Sequence, residues 1–268
     1  MARSAILNVM IQAAIKAGRS LGRDYLDSKN QQFTFKGPAD YVSAADKKSE
    51  AIIKASLEAA KPNYGYLMEE SGETIGSDSQ HRFIVDPLDG TTNFLHGIHL
   101  FCVSIALESQ GKIVAAVIYN PILDELFTAE LGKGAFLNDR RIRVSNIKNP
   151  EDYVICTGIP HVGKRGHGIF LHELAHIMPD VAGIRRTGAA ALDLAYVAAG
   201  RFDGFWEDNL KIWDMAAGIL LIKEAGGFVT DKLGSNQIFK TQNIVAGGEY
   251  SHKYILQQLK QANAARNK

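Results

Sequence analysis

The string Ile84-Val85-Asp86-Pro87-Leu88-Asp89-Gly90-Thr91-Thr92-Asn93-Phe94 leaves the backbone few options. The apolar run before it predicts a strand ending at Asp86. Pro87 then fixes one φ angle and Gly90 permits a tight reversal. A helix can start at Thr91 or Thr92. In such a turn Asp86, the carbonyl of Leu88 and Asp89 can converge on one point. Three hard oxygens around a point suit Mg²⁺ better than zinc or copper. The amides of Gly90, Thr91 and Thr92 at a helix start can hold a phosphate. The same residues are also good β-turn chemistry with a good N-cap, so the string alone leaves a plain turn open.

The rest of the chain predicts helices and strands in a mixed order. Ile6, Val9, Met10, Ala13, Ala17 and Leu21 recur at helical spacing, and a second helix begins near Ser43 and closes at Pro62. Short apolar runs at Tyr64 to Met68, Phe83 to Val85, Phe101 to Leu107, Ile113 to Tyr119 and Glu125 to Ala129 read as strands. A hairpin at Gln110-Gly111 makes that sheet partly antiparallel. Ile147 to Pro150 marks a seam between halves, 1–146 and 147–268. Beyond it, strands at Tyr153 to Thr157, Phe202 to Trp206, Phe228-Val229 and Ile244-Val245 alternate with helices. The helices are expected at Ile169 to Met178, Thr187 to Ala199, Asp214 to Ala225 and Tyr250 to Ala264. That alternation indicates an α/β layer.

Composition narrows the classes. With 268 residues, 46% apolar and 22% charged, the chain is neither disordered, collagenous nor a coiled coil. A net charge of +1 gives no reason to expect nucleic acid or an anionic membrane as a partner. Cys102 and Cys156 form no metal spacing and no disulfide framework, which suits a reducing cytoplasm. Arg3, Lys16 and Arg19 interrupt the first 22 residues, so no signal peptide is expected there. No apolar run approaches the roughly 18 residues of a membrane span.

Further acids stand at the ends of expected elements. Glu69-Glu70 follow a strand, Asp214 precedes the apolar helix Met215 to Ile222, and Asp46 lies three residues after Ser43 at a helix start. Each has a plain structural reading: a solvated strand end, an N-cap and a capping-box partner. Their recurrence around the rigid Asp-Pro-Leu-Asp-Gly-Thr turn is what suggests a cation site.

On these residues the chain resembles the inositol monophosphatase family, its bacterial branch above all. Glu69-Glu70-Ser71 looks like the family's Glu-Glu-Ser element. Asp86 to Phe94 matches its main signature and Trp213-Asp214-Met215-Ala216-Ala217-Gly218 its second. Asp40-Tyr41-Val42-Ser43-Ala44-Ala45-Asp46 is similar to its Asp-x-Val-Thr-x-x-Asp segment, with Ser43 in place of Thr, and Glu224-Ala225-Gly226-Gly227 also fits. The resemblance implies a layered αβαβα sandwich, a homodimer and a lithium-sensitive phosphatase that uses two or three Mg²⁺ ions. It implies that Glu69, Asp86, the Leu88 carbonyl and Asp89 are metal ligands, joined by Asp214 around a second ion. Asp46 and Thr91 then orient and deprotonate a metal-bound water that Glu69 helps to hold. Lys36 takes the place of a basic residue on a loop near the site. Gly188-Ala189-Ala190 resembles a small-residue turn against the sugar ring, Glu207 the carboxylate that accepts from ring hydroxyls, and Arg185 a rim residue. The implied reaction is hydrolysis of inositol 1-phosphate. A sugar or nucleotide phosphate is the alternative, with fructose 1,6-bisphosphate kept open by Arg185-Arg186.

One motif points elsewhere. His172-Glu173-Leu174-Ala175-His176 is a literal His-Glu-x-x-His match, the pattern of a zinc peptidase. Pro179 stops that helix early, and the extended pattern would need Gly at 179 and His at 182, where Pro179 and Ala182 stand. A regulatory protein that works by binding partners is the third class.

Overall fold

The computed structural model describes residues 3–26, 33–37 and 40–266. Helix α1 (Ala5–Leu26) is followed by an antiparallel ribbon of β1 (Phe33–Gly37) and β2 (Asp40–Ser43), then by α2 (Ala44–Ala60). An eight-stranded sheet comes next. It is built from β3 (Tyr64–Met68), β4 (Gly72–Thr74), β5 (Asp78–Asp89), β6 (Cys102–Ser109), β7 (Lys112–Asn120), β8 (Glu125–Glu130), β9 (Gly134–Leu137) and β10 (Arg140–Arg141), with the short helix α3 (Thr91–Leu95) between β5 and β6. Its spatial order is β10-β9-β8-β7-β6-β5-β3-β4, and β3 with β5 is its parallel pair. A five-stranded sheet follows, ordered β12-β11-β13-β15-β14, from β11 (Val154–Thr157), β12 (Gly183–Arg185), β13 (Gly204–Asp208), β14 (Phe228–Thr230) and β15 (Asn243–Gly247). Its helices are α4 (His167–Ile177), α5 (Ala190–Ala198), α6 (Ile212–Glu224), α7 (Ile238–Thr241) and α8 (Glu249–Arg266).

The period of two along each strand builds the layers. Phe83 and Val85 on β5, with Val103, Ile105 and Val117 beside them, pack against Met10, Leu21, Ile53 and Leu57 of α1 and α2. Ile84, Ala106, Ala116 and Ile118 point the other way, onto Leu192, Leu194, Ala216 and Leu220 of α5 and α6. Those two helices also cover Phe205, Ile244 and Ala246 of the second sheet. The opposite face of that sheet, Ile155, Trp206 and Val245, is covered by Phe170, Ile177, Ile255 and Leu259 of α4 and α8. The result is the expected αβαβα sandwich. Both faces of both sheets are covered, which is why the central strands read as continuous apolar runs. The middle layer is tight: a Cβ on Gly218 of α6 would lie 2.5 Å from the Cβ of Leu194 on α5.

Several expectations are corrected. β5 does not stop at Asp86; it runs through Pro87 to Asp89, with an irregularity in its pairing to β6 between Asp86 and Asp89. Asp214 is not the N-cap of α6. It is the third helical residue, and Lys211 holds the cap position. The short strands β4, β9, β10 and β12 carry too few residues for any periodicity to announce them. The hairpin at Gln110-Gly111 is present, with φ of 51° and 74°, the left-handed pair a two-residue hairpin turn requires. No helix among the described residues is long and apolar enough to cross a membrane, and Cys102 and Cys156 are buried and unpaired.

Candidate active site

The turn after β5 is held from several sides. The Asp86 carboxylate accepts the Leu88 N–H at 3.0 Å, and the Thr91 hydroxyl donates to the Leu88 carbonyl at 3.1 Å. The hydroxyl of Ser49 on α2 donates to the Pro87 carbonyl at 2.8 Å. Asn93 ties α3 to Leu100 (2.6 Å) and to Thr187 (2.8 Å), so it joins the turn to the other half of the chain. Gly90 has φ of 88°, and a Cβ there would stand 2.9 Å from the Leu100 carbonyl oxygen. Position 90 therefore needs glycine both for its left-handed backbone and for the close approach.

Strand register brings the next acid in. β3 runs parallel to β5 with Met68 opposite Val85, so Glu69 follows beside Asp86, and the two carboxyl groups share a hydrogen bond. Glu50 of α2 accepts the Glu70 N–H at 3.0 Å and so fixes the chain there. Asp46 is buried, at 1% exposure. It lies one helical turn before Ser49 and Glu50, on the face of α2 that meets the turn and the Glu69-Glu70 segment. Asp89 reaches across the sandwich: its carboxylate accepts the Ala191 N–H in the first turn of α5 at 2.8 Å. Asp214 accepts the Lys211 N–H at 2.7 Å, so the start of α6 holds its carboxylate in place.

The charges crowd one another. Burial pushes the Asp86 carboxyl well above the usual range, and Glu69, Asp89 and Asp214 push it further. Burial raises Asp89 to about 7; the Ala191 and Leu192 N–H groups oppose that rise, while Asp193 and Glu69 add to it. Asp214 is likewise raised to about 7 by burial and by Asp89, against the pull of the Lys211 N–H and Lys164. Carboxylates packed in this way repel each other unless protons or cations intervene. Among the described residues no three His, Cys, Asp or Glu side chains close on a common point, either here or on α4. The groups crowded here nevertheless offer only oxygen: the carboxylates of Glu69, Asp86, Asp89 and Asp214, with the Leu88 carbonyl beside them. Oxygen donors of that kind suit a hard divalent cation better than a soft one.

A cavity of about 180 Å³ opens beside Asp89 and Asp214. Gly188, Ala189, Ala190 and Glu207 line it. The Glu207 carboxylate rests on Gly158, where a Cβ would lie 1.9 Å from its Cδ. Burial raises Glu207 well above the carboxylate range, with Asp193, Asp214 and Asp89 adding to the rise and Arg186 opposing it. Arg185 is corrected. It is exposed, donates to the Ile184 carbonyl at 3.0 Å, and does not line the cavity. Its neighbour Arg186, which the sequence offered only as part of a second-phosphate site, does, together with Lys164 and Asp193, which the sequence did not single out. Thr91 stands at the turn, whereas the side chain of Thr92 is exposed. Lys36 lies on β1, but its side chain is outside the described residues.

The His-Glu-x-x-His string lies on α4, and its two imidazole rings meet edge to face at 4.7 Å. Glu173 is turned inward, 2% exposed, and ion-paired to Lys232 at 2.7 Å. A glutamate bound in that way cannot serve as the free base of a zinc peptidase.

Known proteins of similar sequence and fold cover almost the whole chain. The model of the inositol monophosphatase family matches residues 2–264. The chain is 60% identical over 266 residues to an inositol-1-monophosphatase of Mesorhizobium japonicum, covering 99% of this chain and all of that one. It is 43% identical over 256 residues to the Nus factor SuhB of Vibrio cholerae, covering 96% of each chain. The crystal structure of the extragenic suppressor protein suhB from Bartonella henselae superposes with a TM-score of 0.94 at 67% identity, over 96% of this chain and 99% of that one. With its acids gathered at the turn after β5 and a family match over nearly its whole length, the chain belongs to the inositol monophosphatase family, a family of phosphatases.

Proposed function

We propose that this protein is a Mg²⁺-dependent phosphate monoesterase whose first substrate is inositol 1-phosphate, released as myo-inositol and phosphate. The observation that carries the reading is the crowding of Glu69, Asp89 and Asp214 on the buried Asp86, with Asp89 and Asp214 lining the same cavity as Glu207 and Arg186. A phosphate monoester is a dianion and would be repelled by that wall. Glu69, Asp86, the Leu88 carbonyl, Asp89 and Asp214 would hold two or three Mg²⁺ ions, which would supply the missing positive charge and lower the pKa of a bound water.

The chain's own groups do the rest. Thr91 is oriented by its bond to the Leu88 carbonyl. With Asp46 and Glu69 it positions the attacking water and takes its proton. The backbone amides of Gly90, Thr91 and Thr92 face the phosphate. Gly188, Ala189 and Ala190 leave room for the ring, whose hydroxyls donate to Glu207. Asp214 orients the ring from the start of α6. The reading extends to a cytoplasmic homodimer inhibited by Li⁺.

Phosphate release from inositol 1-phosphate, fructose 1,6-bisphosphate, histidinol phosphate and nucleotide phosphates, with and without Mg²⁺, tests the proposal. Inositol 1-phosphate is expected to give the highest kcat/KM, and activity is expected to vanish on chelation and to fall in millimolar Li⁺. Turnover that survives complete chelation would sink it. Sedimentation reads the subunit number. The name Nus factor carried by a 43% identical relative supports a second, non-catalytic role by partner binding. A pull-down with the Asp89→Asn variant tests that role independently of catalysis.

A further inference from the structure

Glu173 is left without a role by the phosphatase chemistry, yet it is one of the most thoroughly anchored acids in the molecule. Lys232 donates to both of its carboxylate oxygens, at 2.8 and 2.7 Å, and also to a carboxylate oxygen of Asp208. The side chains of Glu173 and Lys232 are 3% and 10% exposed, and that of Asp208 33%. Three distant segments thus meet on one ammonium group: the outer helix α4, the loop after β14 and the end of β13. Lys232 is itself braced. Its backbone N–H donates to the Asn243 side chain at 2.8 Å, and Asn243 is the register partner of Asp208 on β15. The neighbouring Asp231 accepts the N–H groups of Leu233 and Ser235 at 2.9 and 2.8 Å.

Asp208 is the member of this cluster that reaches the cavity. It lines the wall between Glu207 and Asn209. Asn209 has φ of 63°, a left-handed turn that asparagine adopts readily, and it follows Asp208 directly along this wall. A buried ion cluster of this kind is a poor device for stability, since apolar groups of similar volume usually serve as well or better. Its benefit lies in fixing relative position.

We propose that the Glu173–Lys232–Asp208 cluster is a positioning device that fixes the Glu207–Asn209 rim and thereby sets the pocket's selectivity for a hydroxylated ring. The inference rests on the phosphatase reading above and deepens it. The groups assigned to the hydrolysis lie on α2, just after β3, at the end of β5 and the turn that follows it, and at the start of α6, so the cluster acts on ring binding and not on the chemical step.

Two variants test it. Asp208→Asn removes the negative charge, and with it the ion pair, at the cluster's exposed end. Glu173→Gln combined with Lys232→Met removes the cluster without leaving a buried unpaired charge. Steady-state rates with Mg²⁺ are compared for inositol 1-phosphate and for 4-nitrophenyl phosphate, an ester with no ring hydroxyls. In both variants the kcat/KM ratio of the first to the second is expected to fall roughly tenfold, the weight of one displaced charged acceptor. The loss is expected in KM for inositol 1-phosphate, with kcat held within about twofold. Lys232→Arg, which keeps the charge, is expected to retain most of the wild-type ratio. If the double variant melts early, Asp208→Asn decides alone. An unchanged ratio in a folded variant overturns the inference. Wild-type protein that releases phosphate from neither ester overturns the functional reading and this inference with it.

Discussion

Gly158 offers a clean test of the pocket, because a single methyl group placed there must move one named carboxylate. A Cβ at this position would lie 1.9 Å from Glu207 Cδ and 1.9 and 2.3 Å from its two oxygens. Ordinary contact begins near 3.4 Å, so in Gly158→Ala the carboxylate must retreat by roughly 1.5 Å, enough to break a hydrogen bond outright. The backbone of Gly158 is not left-handed, so alanine is tolerated there. It gains about 0.4–1 kcal/mol by restricting the unfolded chain. Forcing Glu207 off its rotamer costs about 0.5–1.5 kcal/mol. The two nearly cancel, and the melting temperature is expected to stay within a few degrees of wild type. Binding does not cancel. Losing one hydrogen bond to a charged acceptor costs about 1.5–3 kcal/mol, which is roughly a 10- to 150-fold rise in KM for inositol 1-phosphate. The assay is steady-state phosphate release on inositol 1-phosphate and 4-nitrophenyl phosphate, with a thermal melt as control. An unchanged KM in a folded variant would refute the contact between Glu207 and the ring. An equal loss on both esters would place the damage at the reacting centre and refute it too.

Three further predictions follow from the same geometry. Asp89→Asn is expected to lower Mg²⁺-dependent turnover by at least about 100-fold, with a metal-free melting temperature equal to or above wild type, because one buried like charge is removed. Near-normal turnover would refute the site. Arg186→Ala is expected to raise KM about fivefold or more and Arg185→Ala to change it by less than twofold, since the first lines the cavity and the second does not. Steady-state kinetics of the pair, with fructose 1,6-bisphosphate included, shows whether Arg186 also holds a second phosphate. His252 is 6% exposed, bonds the Thr230 hydroxyl at 2.9 Å, and is pushed down by burial to about 4. Below pH 6.5 the unfolded chain takes up a proton that the native imidazole refuses. Stability is therefore expected to fall by about 3 kcal/mol between pH 6.5 and 4, and this group adds no slope above pH 6.5. Urea midpoints across that range should show a shallower acid limb in His252→Gln.

Much of the site was legible because its chemistry is local. The Asp86–Phe94 string encodes its own turn, and Trp213–Gly218 encodes a helix start. What could not be read is which segments meet. That Glu69 stands beside Asp86 depends on the parallel register of β3 and β5, and that Asp89 reaches α5 depends on the stacking of layers. Arg185 and Arg186 show the limit most sharply. Both are exposed, yet adjacent residues at a strand end point to opposite sides, so an error of one position decides whether an arginine borders the cavity. The His-Glu-x-x-His string misled for the opposite reason. Its spacing is that of a zinc site, but the partner that decides the fate of Glu173 lies 59 residues away.

The bare Gly218 constrains what descendants of this chain can become. It lies one helical turn beyond Asp214, and the nearest obstacle to a methyl there is the Cβ of Leu194, an atom every residue but glycine carries. Shortening the side chain at 194 therefore makes no room. A lineage that acquires alanine at 218 must spread α5 from α6 and disturb the alignment of its acids, or take glycine at 194.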